Sequence, residues 1–425
     1  PQGQGLNDLY VRFFRMAERR ITEGPEGMGI VCFISNYSWL DGLSFTGMRE
    51  RYLEVFDKIW IDCLNGDKYK TGKLTPEGLP DPSVFSTEQN REGIQVGTAV
   101  ALLARCSRAH RGAELHFAQH WGKNKLEEMA LLAQDPARAN SEALVPEVSA
   151  GLVMMPLSVS VGYGEWPALP SLFPAFFPGI KTSRDDFVVD IDRDRLAERM
   201  ECYFDVGLSD QELRMRYPAA MRSSGQYDAI ASRRLLLQRG FRADRIKRYC
   251  YRPFDNRWLY WESEGYLLDR SRSDYVPHVF EGNVWFSAGQ RNRKHAFYQP
   301  QVTTCLADHH IVESNVSMFP VRVNADALGS SLLAPTCTGP IPNLTSGACA
   351  YADSHNCGDF ELAYHTVATL HSRYRVENSG ALRQDWPRIP LPATGEALLA
   401  SADLGRKVAA LLDVEEPVDG VSTGF

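Results

Sequence analysis

The chain has 425 residues, of which 44% are hydrophobic and 23% charged, a composition typical of a soluble globular protein with two or three domains. Its net charge of −7 argues against a protein that coats nucleic acid without specificity, although it does not exclude a local basic surface. The nine cysteines form no C-x-x-C pair and no metal-ligand spacing, so we expect reduced thiols, no metal and a cytoplasmic location.

The first hundred residues are patterned as alternating helices and strands. Apolar residues at helical spacing predict a helix over 6–21, and a short β-branched run predicts a strand over 30–34 that is buried on both faces. We expect a helix over 44–56, a strand over 58–64, and a strand over 94–103 that can pair antiparallel with its predecessor. This order is typical of the second half of a doubly wound α/β sheet, although an ordinary αβα unit with a capped loop fits the first strand equally well.

Polar and aromatic residues follow the first predicted strand. Asn36 and Tyr37 stand at its carboxyl end, and in open α/β sheets the ligand crevice lies outside those ends. A later loop carries three lysines in a stretch similar to a phosphate-binding loop, but its spacing is one residue too long and Leu74 replaces the Mg²⁺-binding Ser or Thr. We interpret it as a solvated loop that can also touch a polyanion.

Beyond residue 121 the pattern changes to short strands, helices and loops. Strands are expected over 152–161 and 187–191, and helices over 193–204, 227–238, 360–374 and 396–412. Between Arg233 and Lys294 there are 14 Lys or Arg against 7 Asp or Glu, a local excess of +7. Aromatic residues alternate with these charges. The pattern favours a nucleic-acid surface, and a salt-bridged surface over an aromatic core is the alternative.

Several separated motifs together resemble the methyltransferase and target-recognition parts of Type ISP restriction–modification enzymes. The similarity lies in the order and spacing of Asn7–Tyr10, Ser35–Leu40, Val84-Phe85, Gly179–Phe187, Tyr251–Arg257 and Trp386–Pro392. The resemblance implies an α/β fold: the second half of a Rossmann-like methyltransferase sheet over 1–121, followed by a mixed α+β target-recognition (specificity) domain over 122–425. It covers nearly the whole chain.

The family implies methyl transfer from S-adenosylmethionine to N6 of an adenine that is flipped out of double-stranded DNA. Its catalytic Asn-Pro-Pro-Tyr motif and its glycine-containing cofactor loop have no counterpart in this sequence. We therefore expect this chain to be part of a longer protein, inactive alone, with S-adenosylmethionine bound mainly by upstream residues. Phe85 matches the family's late aromatic that packs on the flipped base, and Asn36 and Tyr37 face the same pocket. Alternatively, Phe85 is a core residue that anchors its loop.

The DNA contacts are expected in the basic region, because arginine can pair bidentately with guanine. The candidates are Arg252, Arg257, Arg270, Arg272, Arg291, Arg293 and Lys294, followed by Lys181, Arg184 and the lysines at 68, 70 and 73. Arg252 and Arg257 flank Asp255, and a buried pair with that carboxylate would make either of them structural.

Two functions from different classes remain open. The first is the recognition half of a DNA adenine methyltransferase, whose partners would include nuclease or helicase domains of the same polypeptide or defence system. The second is a non-catalytic DNA-binding specificity module on a methyltransferase-like scaffold. A small-molecule or RNA methyltransferase is disfavoured by the large basic and aromatic region. In either case the strand over 30–34 would lack its usual partner, which would leave an apolar sheet edge open.

Overall fold

The computed structural model describes residues 5–24, 27–106, 112–134, 141–291, 299–313, 316–327 and 338–421. The fold is mixed α/β, and the chain divides into an N-terminal unit, Pro1–Val159, and a C-terminal unit, Ser160–Phe425. This division lies later than the expected boundary at 121, because a helix over 125–134 and a strand over 142–144 join the first unit.

The N-terminal unit is built on one five-stranded sheet. The strands lie in the order β1-β3-β2-β4-β5, with β3 antiparallel to both of its neighbours and β4 parallel to β2. The antiparallel pairing expected for the third strand is thus confirmed. The elements are α1 (Leu9–Thr22), β1 (Gly29–Asn36), α2 (Thr46–Val55), β2 (Lys58–Asn65), β3 (Thr98–Arg105), β4 (Glu114–Gln119), α3 (Lys125–Gln134) and β5 (Glu142–Leu144).

Strand β1 pairs only with β3 in the described part of the chain and so forms one edge of the sheet. Helix α1 covers one of its faces, where the rings of Phe14 and Phe33 meet edge to face with centroids 5.0 Å apart. The other face is open, since Ile30 is 66% and Ile34 49% exposed. The expectation that this strand is buried on both faces is therefore wrong.

The turn after β1 is fixed by a buried arginine. The guanidinium of Arg49 donates to the carbonyl oxygens of Trp39 at 2.8 Å, Gly42 at 2.7 Å and Gly151 at 2.7 Å. Its burial lowers the pKa of Arg49 to about 10. The strand expected over 152–161 is not formed, and its first residue, Leu152, adopts a left-handed conformation with φ of 55°.

A buried ion pair ties α3 to the long loop between β2 and β3. The Lys125 Nζ lies 2.6 Å from a carboxylate oxygen of Asp81, and neither side chain is more than 2% exposed. Lys125 also donates to the carbonyl oxygen of Leu64 at 2.5 Å, while Asp81 accepts from the N–H of Gly66 at 2.7 Å and of Gly122 at 2.8 Å. The pair thereby fixes the loop against the carboxyl end of β2.

Removal of Lys125 is expected to destabilise the N-terminal unit. In Lys125→Ala the Asp81 carboxylate stays buried without its partner, and breaking a buried pair in this way costs about 3–5 kcal/mol. Lys123→Ala, an exposed lysine two residues earlier, is the matched control. Denaturant unfolding with hydrogen exchange of the β2 amides would measure both, and equal stability of the two variants would contradict this role for the pair.

The C-terminal unit combines small sheets with peripheral helices. Two four-stranded sheets have the orders β12-β8-β9-β7 and β11-β10-β13-β6, and β14 pairs with β15. The elements are α4 (Leu169–Leu172), β6 (Phe177–Pro178), α5 (Asp185–Val188), β7 (Val189–Asp190), α6 (Arg193–Tyr203), α7 (Asp210–Arg216), α8 (Ala229–Leu237), β8 (Ile246–Arg252), β9 (Asp255–Tyr260), β10 (Trp285–Gly289), β11 (Val302–Thr303), β12 (Leu306–Ala307), β13 (Val316–Pro320), β14 (Arg322–Asn324), β15 (Pro340–Pro342), α9 (Ser346–Ser354), α10 (Asp359–His371), α11 (Tyr374–Glu377) and α12 (Gly395–Leu412).

Aromatic side chains of the basic region build much of this unit's core. Tyr249, Tyr260, Tyr275 and Trp285 are fully buried, and the rings of Tyr275 and Trp285 meet edge to face at 4.6 Å. The four helices expected over 193–204, 227–238, 360–374 and 396–412 form close to those bounds, whereas the strand expected over 187–191 is reduced to β7 after one helical turn. No helix in the described ranges is long and apolar enough to cross a membrane.

Candidate nucleic-acid interface

The carboxyl edge of the N-terminal sheet brings the ends of three strands together. Asn36 of β1 and Asn65 of β2 both face Thr98 at the start of β3. The Asn36 side chain accepts from the backbone N–H of Ser38 at 2.6 Å and so caps the turn that follows the strand. This polar edge is where the sequence places a target-base pocket.

Tyr37 lies beneath this edge rather than on it. It is only 3% exposed, and its ring packs so closely on Gly97 that a Cβ at that position would lie 1.7 Å from a ring carbon. The Tyr37 hydroxyl bonds to Asp67, whose carboxylate also accepts from the N–H of Gly97 at 2.9 Å and of Lys70 at 2.6 Å. Burial alone would raise the pKa of Asp67, but these hydrogen bonds lower it below its usual value. Tyr37 is therefore part of the support, not of an open pocket.

Phe85 is 42% exposed, so it does not anchor its loop from the core. Its neighbour Ser83 lies against Gly66, directly after β2, where a Cβ on the glycine would come within 2.8 Å of the Ser83 Cα. Phe85 therefore follows, two residues later, a segment packed at the carboxyl end of β2, and its side chain is partly open to solvent. The three lysines of the same loop are engaged internally: Lys68 pairs with Glu92 at 2.9 Å, Lys70 with Asp41 at 2.7 Å, and Lys73 donates to the Glu92 carbonyl.

In the C-terminal unit, four segments that are far apart in sequence meet at one surface. Ile180 bridges Asp308, Lys181 bridges Arg270, and β12 runs parallel to β8. The close approach requires Gly179, because a Cβ there would lie 2.4 Å from the Asp308 carbonyl oxygen. We call the surface formed by residues 179–187, 250–257, 269–272 and 306–310 the motif surface, since it unites two of the motifs noted in the sequence.

The carboxylate of Asp308 connects these segments. It is 5% exposed and accepts from the Tyr249 hydroxyl at 2.5 Å, from Arg252 Nη1 at 2.8 Å and from the backbone N–H of His310 at 2.7 Å. Sequence reasoning missed this residue, because its side-chain partners Tyr249 and Arg252 lie more than 50 positions away and follow no periodic pattern. The only local signal is a polar run, Asp308-His309-His310, directly after a buried strand.

Two arginines of the β8–β9 hairpin stack on one tyrosine. The guanidinium carbons of Arg252 and Arg257 lie 4.0 and 4.2 Å from the ring centroid of Tyr251, whose hydroxyl donates to Asp185 at 2.7 Å. Arg257 also pairs with Asp255, with its closest contact at 2.7 Å, and the hydrogen bond to this carboxylate raises the pKa of Arg257. Both arginine side chains remain 38% and 35% exposed, so the pairing orients them without burying them.

The other residues predicted to contact DNA differ in whether their charges are paired with carboxylates. Arg270 and Arg291 are exposed and have no ion pair within the described part of the chain. Lys181 pairs with Asp269 at 2.6 Å and Arg272 with Asp274 at 2.7 Å, each near the surface. Arg293 and Lys294 lie outside the described residues.

Arg184 is a structural residue. It is 7% exposed and donates to the carbonyl oxygens of Leu267 at 2.9 Å and Tyr266 at 2.5 Å, while its guanidinium stacks on the Tyr227 ring at 3.9 Å. Burial lowers the pKa of Arg184. The expectation of a DNA contact at Arg184 is therefore corrected, because its hydrogen-bonding capacity is used inside the unit.

The comparisons with known proteins fit this architecture. A family model described as the Type ISP C-terminal specificity domain matches residues 171–420, and the chain therefore belongs to the Type ISP family. No curated protein matches the chain.

Similar solved structures cover almost the whole chain. A DrdV–DNA complex is 21% identical with a TM-score of 0.52, and covers 97% of this chain and 40% of its own. The ATP-dependent Type ISP restriction–modification enzyme LlaBIII bound to DNA is 18% identical with a TM-score of 0.58, covering 96% and 27%. A nuclease-deletion mutant of the Type ISP enzyme LlaGI with a DNA substrate mimic is 19% identical with a TM-score of 0.53, covering 96% and 37%. These likenesses show a shared fold, and this chain spans well under half of each relative.

Loss of Arg184 is expected to lower the stability of the C-terminal unit. Arg184→Ala removes the donor to the carbonyls of Tyr266 and Leu267, and leaving the buried Leu267 carbonyl unsatisfied costs about 1–3 kcal/mol. Lys181→Ala, in the same segment but half exposed, should change the free energy of unfolding by no more than about 0.5 kcal/mol. Urea unfolding of both variants tests this. If the Arg184→Ala protein were as stable as the wild type, the structural role would be contradicted and Arg184 would again be a candidate DNA contact.

Proposed function

We propose that this chain is the target-recognition part of a Type ISP restriction–modification enzyme that methylates N6 of adenine in double-stranded DNA. The proposal assigns sequence reading to the C-terminal unit and assigns the second half of the methyltransferase domain to the N-terminal unit. One observation carries it above the others: within the region matched by the specificity-domain family, separated motifs converge on a surface with oriented, half-exposed arginines. The solved relatives described as bound to DNA support the choice of partner.

In this proposal Arg252 and Arg257 read bases, because each is held before DNA arrives. Asp308 and Asp255 fix the two guanidinium groups, and Tyr251 supports them by stacking. An arginine that is already oriented loses little side-chain entropy when it pairs with guanine O6 and N7, a contact worth about 1–3 kcal/mol of discrimination. Arg270 and Arg291 carry free charges and are assigned to phosphates, where they would add affinity without sequence information.

The N-terminal unit contributes one wall of the target-base site. Its polar carboxyl edge and the exposed ring of Phe85 offer stacking and hydrogen bonding to a base extruded from the duplex. Tyr37 and Asp67 then act from below, as the rigid support of this wall.

S-adenosylmethionine would supply the methyl group, but the described residues do not by themselves fit this cofactor. The Asp67 carboxylate at the carboxyl edge is already occupied by backbone N–H groups and by Tyr37. We therefore assign no residue of this chain to the cofactor and derive no step through it. On the same proposal the remaining enzyme, including nuclease and helicase domains, belongs to the same polypeptide or defence system.

Arginine substitutions in the motif surface should separate base reading from phosphate binding. Arg257→Ala should relax specificity at one base pair and leave non-specific affinity nearly intact. Arg270→Ala should weaken all sequences alike and reduce the salt slope by about one unit. Titrations of cognate and scrambled duplexes at several salt concentrations measure both effects.

Arg373→Ala, a 91% exposed arginine near the C-terminal helices, is the control and should change nothing. If Arg257→Ala and Arg270→Ala also leave specificity and affinity unchanged, sequence is read elsewhere.

Phe85→Ala in the longer enzyme should reduce methyl transfer more than DNA binding. Base–aromatic stacking is worth about 1–3 kcal/mol and is gained only after the base leaves the duplex. Fluorescence of 2-aminopurine at the target position should report less extrusion in the variant, with Phe13→Ala as an exposed-phenylalanine control in the same unit. Product analysis that finds methylcytosine would contradict the assignment to adenine, and a longer protein without transfer would favour the non-catalytic specificity module.

A further inference from the structure

An open groove of about 510 Å³ lies on the C-terminal unit beside the motif surface and has no role in the function proposed above. Part of its wall comes from the motif segment 179–187, and the rest from α7 and the loop that follows it. We call it the arginine groove. Its lining residues are Asp186, Phe187, Arg216, Tyr217, Pro218, Ala219 and Arg222.

The two arginines of the groove are not neutralised. Arg216 and Arg222 are exposed, and neither has a carboxylate within 4.0 Å among the described residues. Arginines nearby are paired, as in Arg199 with Asp190 at 2.7 Å and Arg233 with Asp210 at 2.6 Å. Asp186 is the carboxylate of the groove, which leaves a net charge of about +1 there.

The walls of the groove are fixed by packing. Phe187 is fully buried, and its ring centroid lies 6.0 Å from that of Tyr217. The Tyr227 hydroxyl donates to the Ala220 carbonyl at 2.6 Å and so fixes the turn that contains Pro218 and Ala219. A ligand would therefore meet a preformed site with guanidinium groups beside small apolar surfaces, which suits a chain of phosphates joined by sugars.

The groove adjoins the motif surface at residues 185–187. Asp185 accepts from the Tyr251 hydroxyl at 2.7 Å, and the next residue, Asp186, is exposed and lines the groove. The same short segment therefore contributes to both the motif surface and the wall of the arginine groove.

We propose that the arginine groove binds the sugar–phosphate backbone of the same DNA duplex whose bases the motif surface reads. Arg216 and Arg222 contact phosphate oxygens, and Pro218 and Ala219 contact deoxyribose. The inference rests on the proposed function and deepens it, because it adds a contact that supplies affinity and register rather than sequence.

The experiment uses the full chain and a mixed-sequence duplex, with fluorescence anisotropy at several salt concentrations. Each lost phosphate contact lowers the slope of log K against log salt by about 0.9. Arg216→Gln combined with Arg222→Gln should therefore lower the slope by about 1.8. Arg214→Gln is the matched control, since Arg214 is exposed on the same helix but does not line the groove.

A second variant gives a gain of affinity, which misfolding cannot produce. Asp186→Asn removes the groove's negative charge and should tighten binding severalfold, with a larger gain at low salt. An unchanged slope in the Arg216/Arg222 variant, or no gain in Asp186→Asn, would overturn the inference if Arg257→Ala and Arg270→Ala still alter binding. A wild-type chain that binds no duplex would instead overturn the proposed function and this inference with it.

Discussion

The arrangement of the C-terminal unit depends on one buried carboxylate, that of Asp308. Its two oxygens accept from Tyr249, Arg252 and the backbone of His310, and hydrogen bonds to a charged group are worth about 1.5–3 kcal/mol each. Through these bonds it joins β8, the hairpin tip and the segment after β12. Without this carboxylate, Arg252 would lose its orientation and the segments of the motif surface would lose a common attachment. The exposed arginines are therefore positioned from below, by a group that is almost inaccessible to solvent.

The same principle operates in the N-terminal unit. Asp67 and Asp81 are buried acceptors that hold the long loop after β2 against the carboxyl edge, with Tyr37 and Lys125 as their side-chain partners. Both units thus use internal carboxylates to fix irregular backbone at a surface. The conformation of an interface built in this way changes little on binding. This favours specificity, because the side chains and loops are already ordered in the folded protein and lose little further entropy when DNA binds.

Local features were predictable from the sequence, and long-range pairings were not. Amphipathic spacing located α6, α8, α10 and α12, since helix formation depends on neighbouring residues. The pairs Tyr251–Asp185 and Arg252–Asp308 join residues 66 and 56 positions apart, and no period encodes them. Arg184 was misassigned because an arginine's charge does not reveal whether its side chain is buried, and here the guanidinium is buried on Tyr227. Strand β1 was misjudged because an apolar run does not reveal whether both faces are covered.

The most direct test of the account is hydrogen exchange of the full chain with and without duplex DNA. We expect binding to slow exchange in the β8–β9 hairpin, in 179–187 and in 269–272, and to leave α10 and α12 unchanged. Protection confined to the C-terminal helices or to the open face of β1, with the motif surface unaffected, would contradict the claim that this surface recognises DNA.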